Sequence, residues 1–405
     1  MKILLCCEHF HPSVGGVQKM MYEIGLRFIN KGHDVSVVTS FRSDRNEKTI
    51  DGIKIFSFDV NGNAALGMRG DILGYQQFLI NTKFDLLIVM AAQQWTFDAM
   101  LPVLDNIAYK KLHIPCGYSG FYLKKYKDYY SKMDIYLKKF DQLIYNSTNY
   151  RDVNFAREKN LKNINIIPAG ASEFEFLNIK RKNVKKLLGI QSEQFVYLSV
   201  GVPAFNKGHK EILKSYLLLN VSRPSVLILN GNYDNITKLN FINLLSNPKG
   251  TLKEFVMRIL GRSSYNIKKL AQKNKDSNKK IIFENFNREE LISLFAEADL
   301  FLFASHIEYS PLVIFECLAA GLPFLSVPVG NVDEIVKWSA GGVICPGKKS
   351  KEGYTSVDPV VFSREIEKLT MDSVLRKELS IHGRQSWENK FTWGVIVDQI
   401  EKLVI

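Results

Sequence analysis

The chain has 405 residues, of which 46% are hydrophobic, and its formal net charge is +13. This length is too great for one ordinary domain and predicts two. No apolar run approaches the roughly 18 to 20 residues that span a bilayer, and the N-terminal run leads into His and Pro, which indicates a buried first strand and not a signal peptide. The five cysteines are odd in number and have no C-x-x-C spacing, so they indicate reduced thiols in a cytoplasmic protein and argue against a disulfide framework or a zinc site.

The first half of the chain alternates short apolar runs with amphipathic stretches. The opening run predicts a buried parallel strand, and the apolar residues from Val17 to Phe28 then recur with helical spacing. Gly32 is expected to close that helix before a second strand. Further strands are predicted at "FDLLIVMA", "KKLHIPC" and "DQLIYNS". Alternating strands and helices predict a parallel sheet that is covered by helices.

A second series of the same kind follows a basic, polar connection near residues 177–194. Its strands are predicted at "FVYLSVG", "SVLILNGN", "KIIFENF", "LFLFASH" and "PFLSVPVG", and "FTWGVIVDQIEKLVI" at the end predicts an amphipathic helix. The predicted fold is therefore α/β with two Rossmann-like domains. Because open sheets of this kind bind ligands outside the carboxyl ends of their strands, we expect the functional site in a cleft across which the two domains face each other.

Two acids, Glu308 and Glu316, lie in an unusual position near the end of the second series. Glu316 is the single charged residue from Tyr309 to Val332, and Glu308 precedes it by eight positions. An ionised carboxylate in apolar surroundings needs hydrogen-bond donors. The diol of a ribose would supply two donors, and a protein partner such as Lys or a backbone amide is the alternative. On spacing alone the two interpretations are equal.

Local signals place both acids relative to a helix. Ser310 is predicted as the N-cap, Pro311 as the first helical residue, and Gly321 as the residue that ends the helix. The free N–H groups of Leu312 and Val313 would then form a helix start of the kind that binds phosphate.

The acids match the E-x7-E motif of family 4 glycosyltransferases, which have the GT-B fold. The resemblance covers nearly the whole chain, in "PSVGGVQKMMYEIGLRFINKGHDVSVVTS", "NIIPAGASEFEF", "VGVPAFNKGHKEIL" and, most specifically, "FENFNREELISLFAEADLFLFASHIEYSPLVIFECLAAGLP". It implies an acceptor domain over residues 1–176 and a nucleotide-sugar domain over residues 177–385. A C-terminal helix over residues 386–405 is expected to pack back towards the first domain.

The resemblance also implies roles for individual residues of the second domain. Glu316 would bind the ribose of the donor, and the helix start at Leu312 and Val313 is the predicted donor contact for phosphate. Glu308 would lie beside the donor sugar and phosphates as a catalytic residue. Lys207 would neutralise the donor diphosphate as a second catalytic residue, and Gly201, in the same phosphate segment, would contact the donor.

In the first domain, Gly15 and Gly16 lie between the first strand and the first helix. Glycine lets the backbone approach a ligand closely, although an ordinary strand-to-helix turn would also use it. The resemblance favours a substrate-facing loop, with Gly16 on the donor side and Gly15 on the acceptor side. Cys116 aligns with a histidine that contacts the sugar in the family, so it is a further acceptor-side candidate.

Two departures from the family pattern bear on activity. Val202 stands where an arginine usually accompanies the diphosphate-binding lysine, and Cys116 stands where the histidine is expected. The alternative to an active enzyme is therefore a non-catalytic member that binds sugar or nucleotide within a complex. His9 and His11 are weaker candidates for the missing imidazole, and His113 lies within a predicted strand, where a histidine is more often structural.

The resemblance implies transfer of a sugar, with retention at the anomeric carbon, and we expect the donor to be UDP- or GDP-linked. The acceptor is predicted to be a glycan or a lipid-linked glycan of bacterial surface polysaccharide synthesis. No cofactor other than the donor is expected, and no metal, because the chain has no Asp-x-Asp. Helix N–H groups and Lys207 would stabilise the leaving diphosphate instead. The chain has no G-x-G-x-x-G, which argues against a nicotinamide enzyme, and no pyridoxal-binding signature, which argues against a glycan phosphorylase.

Two stretches carry most of the excess positive charge. Residues 233–280 hold 11 Lys and Arg against three acids, and residues 121–141 hold six Lys against three Asp. Packing of these segments on their own domains is one interpretation, but the charge also suits an anionic membrane surface, and suits nucleic acid less. We therefore expect a cytoplasmic protein that is peripheral on the inner face of the membrane. The first stretch predicts an amphipathic helix with an apolar face of Leu252, Phe255, Val256, Ile259 and Leu260 beside Lys253, Arg258 and Arg262.

Overall fold

A computed structural model of the chain describes residues 1–177, 182–233 and 264–404. The amphipathic helix predicted around residues 252–262 lies outside these ranges. The chain divides into two compact units, which are Met1–Gly170 with Lys390–Ile405 and Ala171–Asn389.

The secondary-structure elements of the described residues are numbered in chain order. The α-helices are α1 Gly16–Asn30, α2 Ile72–Asn81, α3 Trp95–Asp98, α4 Lys127–Ser131, α5 Met133–Leu137, α6 Arg151–Glu158, α7 Glu173–Phe176, α8 Val184–Leu187, α9 His209–Leu218, α10 Ser264–Ala271, α11 Arg288–Glu297, α12 Leu312–Ala320, α13 Val332–Ser339, α14 Pro359–Met371, α15 Ser373–Ser386 and α16 Trp393–Lys402. The strands are β1 Lys2–Cys6, β2 Asp34–Ser40, β3 Thr49–Ile50, β4 Ile53–Phe58, β5 Val60–Asn63, β6 Gly67–Gly70, β7 Leu86–Met90, β8 Lys110–Ile114, β9 Gln142–Tyr145, β10 Ile164–Ile166, β11 Phe195–Val200, β12 Ser225–Asn230, β13 Lys279–Glu284, β14 Leu300–Phe303, β15 Phe324–Ser326, β16 Gly342–Ile344, β17 Lys348–Lys349 and β18 Thr355–Ser356. Short 3-10 turns occur at Leu101–Asn106, Lys124–Tyr126 and Phe205–Lys207, and a π-helical turn occurs at Trp387–Phe391.

The first unit is built on an eight-stranded sheet in the order β10-β9-β8-β7-β1-β2-β4-β3. Its neighbouring strands are parallel except β3 and β4. β7 is buried along its whole length, as expected for a parallel strand with both faces covered. The C-terminal helix α16 belongs to this unit, where Glu401 accepts hydrogen bonds from Lys31 at 2.8 Å and pairs with His33 at 2.7 Å.

The second unit is built on a six-stranded parallel sheet in the order β13-β12-β11-β14-β15-β16. Residues 171–176, which the sequence analysis places in the first domain, pack with this unit, because Phe176 lies against Phe295 and Trp387. Within the described ranges, no helix combines the length and the apolar character needed to cross a membrane.

Most of the predicted elements are present in the structure. The strand predictions correspond to β1, β2, β7 to β9 and β11 to β15, and the first and last predicted helices are α1 and α16. The α/β fold with two Rossmann-like domains is therefore confirmed. β4 and the β5–β6 hairpin are not among the predicted strands, because these short and largely exposed strands lack a strong apolar pattern.

Candidate active site

The predicted catalytic residues Lys207 and Glu308 form an ion pair in the second unit. Lys207 Nζ donates to Glu308 Oε1 at 2.6 Å, and Ser305 Oγ lies 2.7 Å from the same oxygen. The lysine side chain is 28% exposed and the glutamate side chain 15% exposed. Within the described residues Glu308 is the only hydrogen-bond partner of Lys207 Nζ, so two of its three N–H groups remain for a ligand.

Close approach of two loops brings this pair together. Lys207 ends the turn after β11, and Gly208 follows in the left-handed region with φ of 70°. A Cβ on Gly208 would lie 1.9 Å from the carbonyl oxygen of Ala304, at the end of β14. The two segments are joined by a hydrogen bond of 2.7 Å from the His306 N–H to the Asn206 carbonyl. A residue larger than glycine at position 208 would therefore separate Lys207 from the loop that carries Glu308.

Gly201 borders the same site. A Cβ there would lie 3.7 Å from Lys207 Cβ and 3.6 Å from His209 Nε2. Val202, which replaces the usual arginine, exposes 62% of its surface and brings no charge. The predicted donor contact Gly201 is therefore next to Lys207, but position 202 adds nothing to a cationic clamp.

His209, the first residue of α9, is a buried neighbour that the sequence analysis does not single out. Its Nδ1 hydrogen-bonds the Tyr233 hydroxyl, and its Nε2 has no partner among the described residues. Burial lowers the pKa of His209 to about 4, and the positive charge of Lys207 contributes to the same shift. The imidazole is therefore neutral at neutral pH.

Glu316 lies in the second turn of α12, whose start differs from the prediction. The helix begins at Leu312, and Pro311 is the N-cap without a side-chain capping bond. The predicted N-cap Ser310 is therefore wrong, because the extended backbone of Pro311 keeps Ser310 outside the helix, where its hydroxyl accepts a hydrogen bond from Asn331.

Two other features of α12 agree with the prediction. Gly321 ends the helix in the left-handed conformation with φ of 67°. Leu312 and Val313 occupy the first turn, whose N–H groups have no partner within the helix. Phosphate binding at this helix start stays a prediction.

The carboxylate of Glu316 is held by an arginine that the sequence analysis does not identify. Arg288 Nη2 donates to Glu316 Oε1 at 2.6 Å. The same guanidinium forms a two-bond fork with Glu175, from Nε at 3.0 Å and from Nη2 at 2.6 Å. Burial acts to lower the pKa of Arg288, but the two carboxylates outweigh it and raise the pKa. Glu316 thus has a protein partner, as in the alternative to a ribose diol that the spacing left open.

A sequence signal for Arg288 exists in the start of α11. Asn287 and Glu290 form a capping box, in which the Asn287 side chain accepts from the Glu290 N–H and the Glu290 side chain accepts from the Asn287 N–H. This N-x-x-E pattern can be read from the sequence and places Arg288 at the first helical position. Nothing in the spacing, however, shows that Arg288 faces Glu316.

In the first unit, Gly15 and Gly16 lie at the start of α1. Gly15 is the N-cap with an extended backbone, and a Cβ on Gly16 would meet no atom within 4 Å. Cys116 follows β8 with φ of 56°, and burial raises the pKa of its thiol to about 12, with a further contribution from Asp152. The thiol is therefore protonated at neutral pH and cannot replace an imidazole as a base.

The candidate histidines lie in different surroundings. His113 is buried in β8, where it stacks on Phe97 at 4.2 Å and its Nδ1 lies 3.1 Å from the Val89 carbonyl oxygen. Burial lowers its pKa to about 3. His9 is exposed, and its Nε2 lies 4.0 Å from Glu8 Oε1. Glu8 itself is half-buried after β1, and burial raises its pKa, so it is an acceptor-side candidate that the sequence analysis missed.

In the part of the chain that the structure describes, no group of three or more His, Cys, Asp or Glu side chains could hold a metal ion. The charged candidate residues of the second unit form two sets, one at the loop before α12 and one at α12 itself. Lys207 with Glu308 forms the first set, and Arg288 with Glu175 and Glu316 forms the second.

Solved structures share this fold over the whole chain. Sucrose-phosphate synthase from Thermosynechococcus elongatus is 15% identical, with a TM-score of 0.74 over 99% of this chain and 98% of that chain. Alr3699/HepE from Anabaena, solved in complex with UDP and glucose, is 14% identical, with a TM-score of 0.67 over 99% of this chain and 98% of that chain. The chain therefore has the GT-B fold of these structures.

A family match makes the assignment more specific. Residues 180–385, just over half of the chain, match the model described as Glycosyl transferases group 1. The chain belongs to this family and is a glycosyltransferase, and the predicted resemblance to family 4 glycosyltransferases is confirmed.

Curated relatives agree with the family. The alpha-1,3/1,6-mannosyltransferase ALG2 of Rhizomucor pusillus is 21% identical over 98% of this chain and 90% of that protein. The D-inositol 3-phosphate glycosyltransferase of Corynebacterium diphtheriae is 27% identical over 28% of this chain and 25% of that protein. The capsular polysaccharide biosynthesis glycosyltransferase CapM of Staphylococcus aureus is 28% identical over 28% of this chain and 27% of that protein. The chain thus spans about a quarter of the length of two of these relatives and nine tenths of the third.

Proposed function

We propose that the chain is a retaining, metal-independent glycosyltransferase that moves a sugar from a nucleotide-sugar donor to a glycan or lipid-linked acceptor. The observation that carries the proposal is the 2.6 Å pair of Lys207 and Glu308, beside a helix that bears Glu316 in its second turn. A UDP- or GDP-linked donor fits this set, and the structural relative Alr3699/HepE was solved with UDP and glucose.

The charges suit a bound diphosphate. The Lys207 ammonium has three N–H donors, and one of them donates to Glu308. The ammonium can therefore bridge that carboxylate and a phosphate oxygen. The first N–H groups of α12 add the positive end of a helix dipole. Negative charge that grows on the leaving diphosphate would therefore meet fixed donors, which is how preorganised sites stabilise a transition state.

The two acids would divide the recognition of the donor. Glu316 would accept hydrogen bonds from ribose hydroxyls, and Glu308 would contact the transferred sugar. The positive charge of Lys207, paired with Glu308 at 2.6 Å, would offset the repulsion between that carboxylate and a negative diphosphate. Retention at the anomeric carbon is implied by the family resemblance and is part of the proposal.

We assign the acceptor to bacterial surface polysaccharide synthesis, on a membrane-bound glycan. The name of the relative CapM supports this class. The basic stretch at residues 121–141 lies within the described residues and supports contact with anionic lipid. Tyr122 and Leu123 expose 50% and 51% of their surfaces, and the lysines at positions 124, 125 and 127 beside them are exposed. An exposed aromatic and aliphatic pair flanked by lysines is typical of proteins that lie on such surfaces.

Donor turnover tests the proposal. Purified protein is incubated with UDP- and GDP-linked hexoses and a membrane extract that contains lipid-linked glycans, and nucleotide release and sugar incorporation are measured. We expect one donor to be consumed, with the product α or β configuration equal to that of the donor, and we expect Glu308→Ala to abolish transfer. Glu352→Ala, a change of an exposed acid, is the matched control.

A second candidate function is a non-catalytic, nucleotide- or sugar-binding member of the family. The uncharged, exposed Val202 favours it, because half of the expected cationic clamp is missing. This candidate predicts nucleotide binding without turnover of any donor. Sustained transfer that is lost in Glu308→Ala would eliminate it.

A further inference from the structure

We infer that Glu175 and Arg288 are positioning residues that aim Glu316 at the ribose of the donor. The inference rests on the proposed function and names two residues that would act without touching the nucleotide. Glu175 fixes the guanidinium of Arg288, and the guanidinium fixes one oxygen of Glu316.

The geometry distinguishes the roles of the two carboxylates. Glu175 takes a two-bond fork from Arg288, at 3.0 Å and 2.6 Å, which sets the plane of the guanidinium. Glu316 receives a single bond of 2.6 Å, on Oε1. Among the described residues nothing hydrogen-bonds Oε2 of Glu316. That oxygen can therefore accept from a ribose hydroxyl while Oε1 stays on Arg288.

The supports of the guanidinium come from separate parts of the second unit. Arg288 begins α11 at its capping box, Glu175 lies on α7, and the ring of Phe176 lies 5.9 Å from the guanidinium carbon. Glu175 precedes residues 180–385, which match the family model. Glu175, which orients the guanidinium of Arg288, therefore lies outside the segment that matches the family model.

Charge explains why Glu316 needs the arginine. The Glu316 side chain is 13% exposed, in a helix whose other residues are apolar. An ionised carboxylate in such surroundings requires a cation or several donors. With Arg288 removed, the carboxylate would lose the bond that holds Oε1 and would turn towards solvent, so it would accept less well from a ribose diol.

A competing explanation makes the opposite prediction. If Arg288 merely occupied the place of the ribose, donor binding would have to break the pair, and removal of the arginine would improve affinity. If the three residues only stabilised the fold, their removal would weaken all ligands equally. Positioning predicts a loss confined to ligands that carry ribose hydroxyls.

The experiment compares UDP with 2′,3′-dideoxy-UDP, or the guanosine pair if the protein prefers GDP. Binding to the full chain is measured by calorimetry for the parent, Arg288→Gln, Arg288→Lys, Glu175→Gln, Glu316→Gln and the double variant Arg288→Gln/Glu316→Gln. Arg364→Gln, which removes an exposed arginine from α14, is the matched control, and circular dichroism verifies that each variant is folded.

We expect the parent to prefer UDP over the dideoxy form by about tenfold or more, the value of one hydrogen bond to a charged group. This preference should fall towards unity in Glu316→Gln and Arg288→Gln and fall in part in Glu175→Gln, with the double variant no worse than Glu316→Gln alone. Arg288→Lys, which keeps the charge without the fork, should recover part of the preference.

Three results would overturn the inference while leaving the proposed function intact. They are tighter UDP binding in Arg288→Gln, an unchanged preference for UDP in that variant, or losses in the two single variants that multiply in the double variant. Failure of the parent to bind either nucleotide would instead refute the proposed function, and the positioning role with it.

Discussion

Removal of Lys207 should weaken binding of the diphosphate and leave binding of the nucleoside unchanged. The ammonium would form a charge-assisted hydrogen bond with a phosphate oxygen, which is worth about 1.5–3 kcal/mol and corresponds to roughly 10- to 150-fold in affinity. We therefore expect Lys207→Ala to raise the Kd for UDP or GDP by that factor. Uridine or guanosine lacks the phosphates, so its Kd should change by less than about twofold.

Lys207→Ala should lower the free energy of unfolding by less than it weakens the binding free energy of the nucleoside diphosphate. The Lys207 and Glu308 side chains are 28% and 15% exposed, so solvent screens their attraction, and the net value of the pair is about 1 kcal/mol. Ser305, 2.7 Å from Glu308 Oε1, remains as a partner of the carboxylate. Isothermal titration calorimetry and urea unfolding separate the two effects.

The controls for this prediction come from the same region. Lys207→Arg keeps the positive charge and should retain most of the affinity, and Lys214→Ala removes an exposed lysine from α9 and should change nothing. Equal losses for UDP and uridine in Lys207→Ala would show that the residue acts through the fold. A Kd for UDP that stays within twofold of the parent value would refute a diphosphate contact.

Three further predictions concern stability and membrane binding. Gly208→Ala should destabilise the second unit by about 2 kcal/mol or more, because φ is 70° and the new Cβ would lie 1.9 Å from the Ala304 carbonyl oxygen; Gly16→Ala, which meets no atom within 4 Å, should be nearly neutral in the same urea unfolding assay. Burial holds the pKa of His209 at about 4, below its ordinary value of 6.5. As the pH falls, the unfolded chain therefore binds a proton before the folded chain does. The free energy of unfolding should fall by about 3 kcal/mol between pH 6.5 and 4. His209→Asn should flatten that part of the pH profile of the unfolding free energy. If the profiles of the parent and of His209→Asn run parallel between pH 6.5 and 4, protonation of His209 is not the cause of the loss. Cosedimentation with liposomes of anionic lipid should occur at low salt, decline at high salt, and be lost when lysines 124, 125 and 127 become Glu; binding that survives the substitution would assign the membrane contact to another surface.

The elements that the sequence predicted well are those with a strong local signal. β7 is a continuous apolar run, β11 is apolar except for Ser199, and the apolar stripe from Val17 to Phe28 predicts α1. Burial of a whole strand or of one helical face leaves such a regular pattern. The E-x7-E spacing likewise led to Glu308 and Glu316, and Lys207 was found through the resemblance.

Contacts between distant residues could not be predicted in the same way. Arg288 is 28 positions from Glu316 and 113 from Glu175, and no local pattern reports which way a long side chain turns at the first position of a helix. The predicted cap at Ser310 failed for a related reason. Propensity favours serine at an N-cap, but Pro311 has an extended backbone and takes the N-cap position, and the Ser310 hydroxyl accepts from Asn331.

Titration with nucleotide tests whether the chain binds a nucleotide through a contact between Glu316 and the ribose. UDP and GDP are each titrated into the purified protein, into Glu316→Ala and into the control Glu352→Ala. We expect at least one nucleotide to bind, and we expect Glu316→Ala to weaken its binding about tenfold or more through loss of the ribose contact. Glu352→Ala should bind like the parent. Absence of binding by the parent, or equal affinities in the parent and Glu316→Ala, would contradict these expectations.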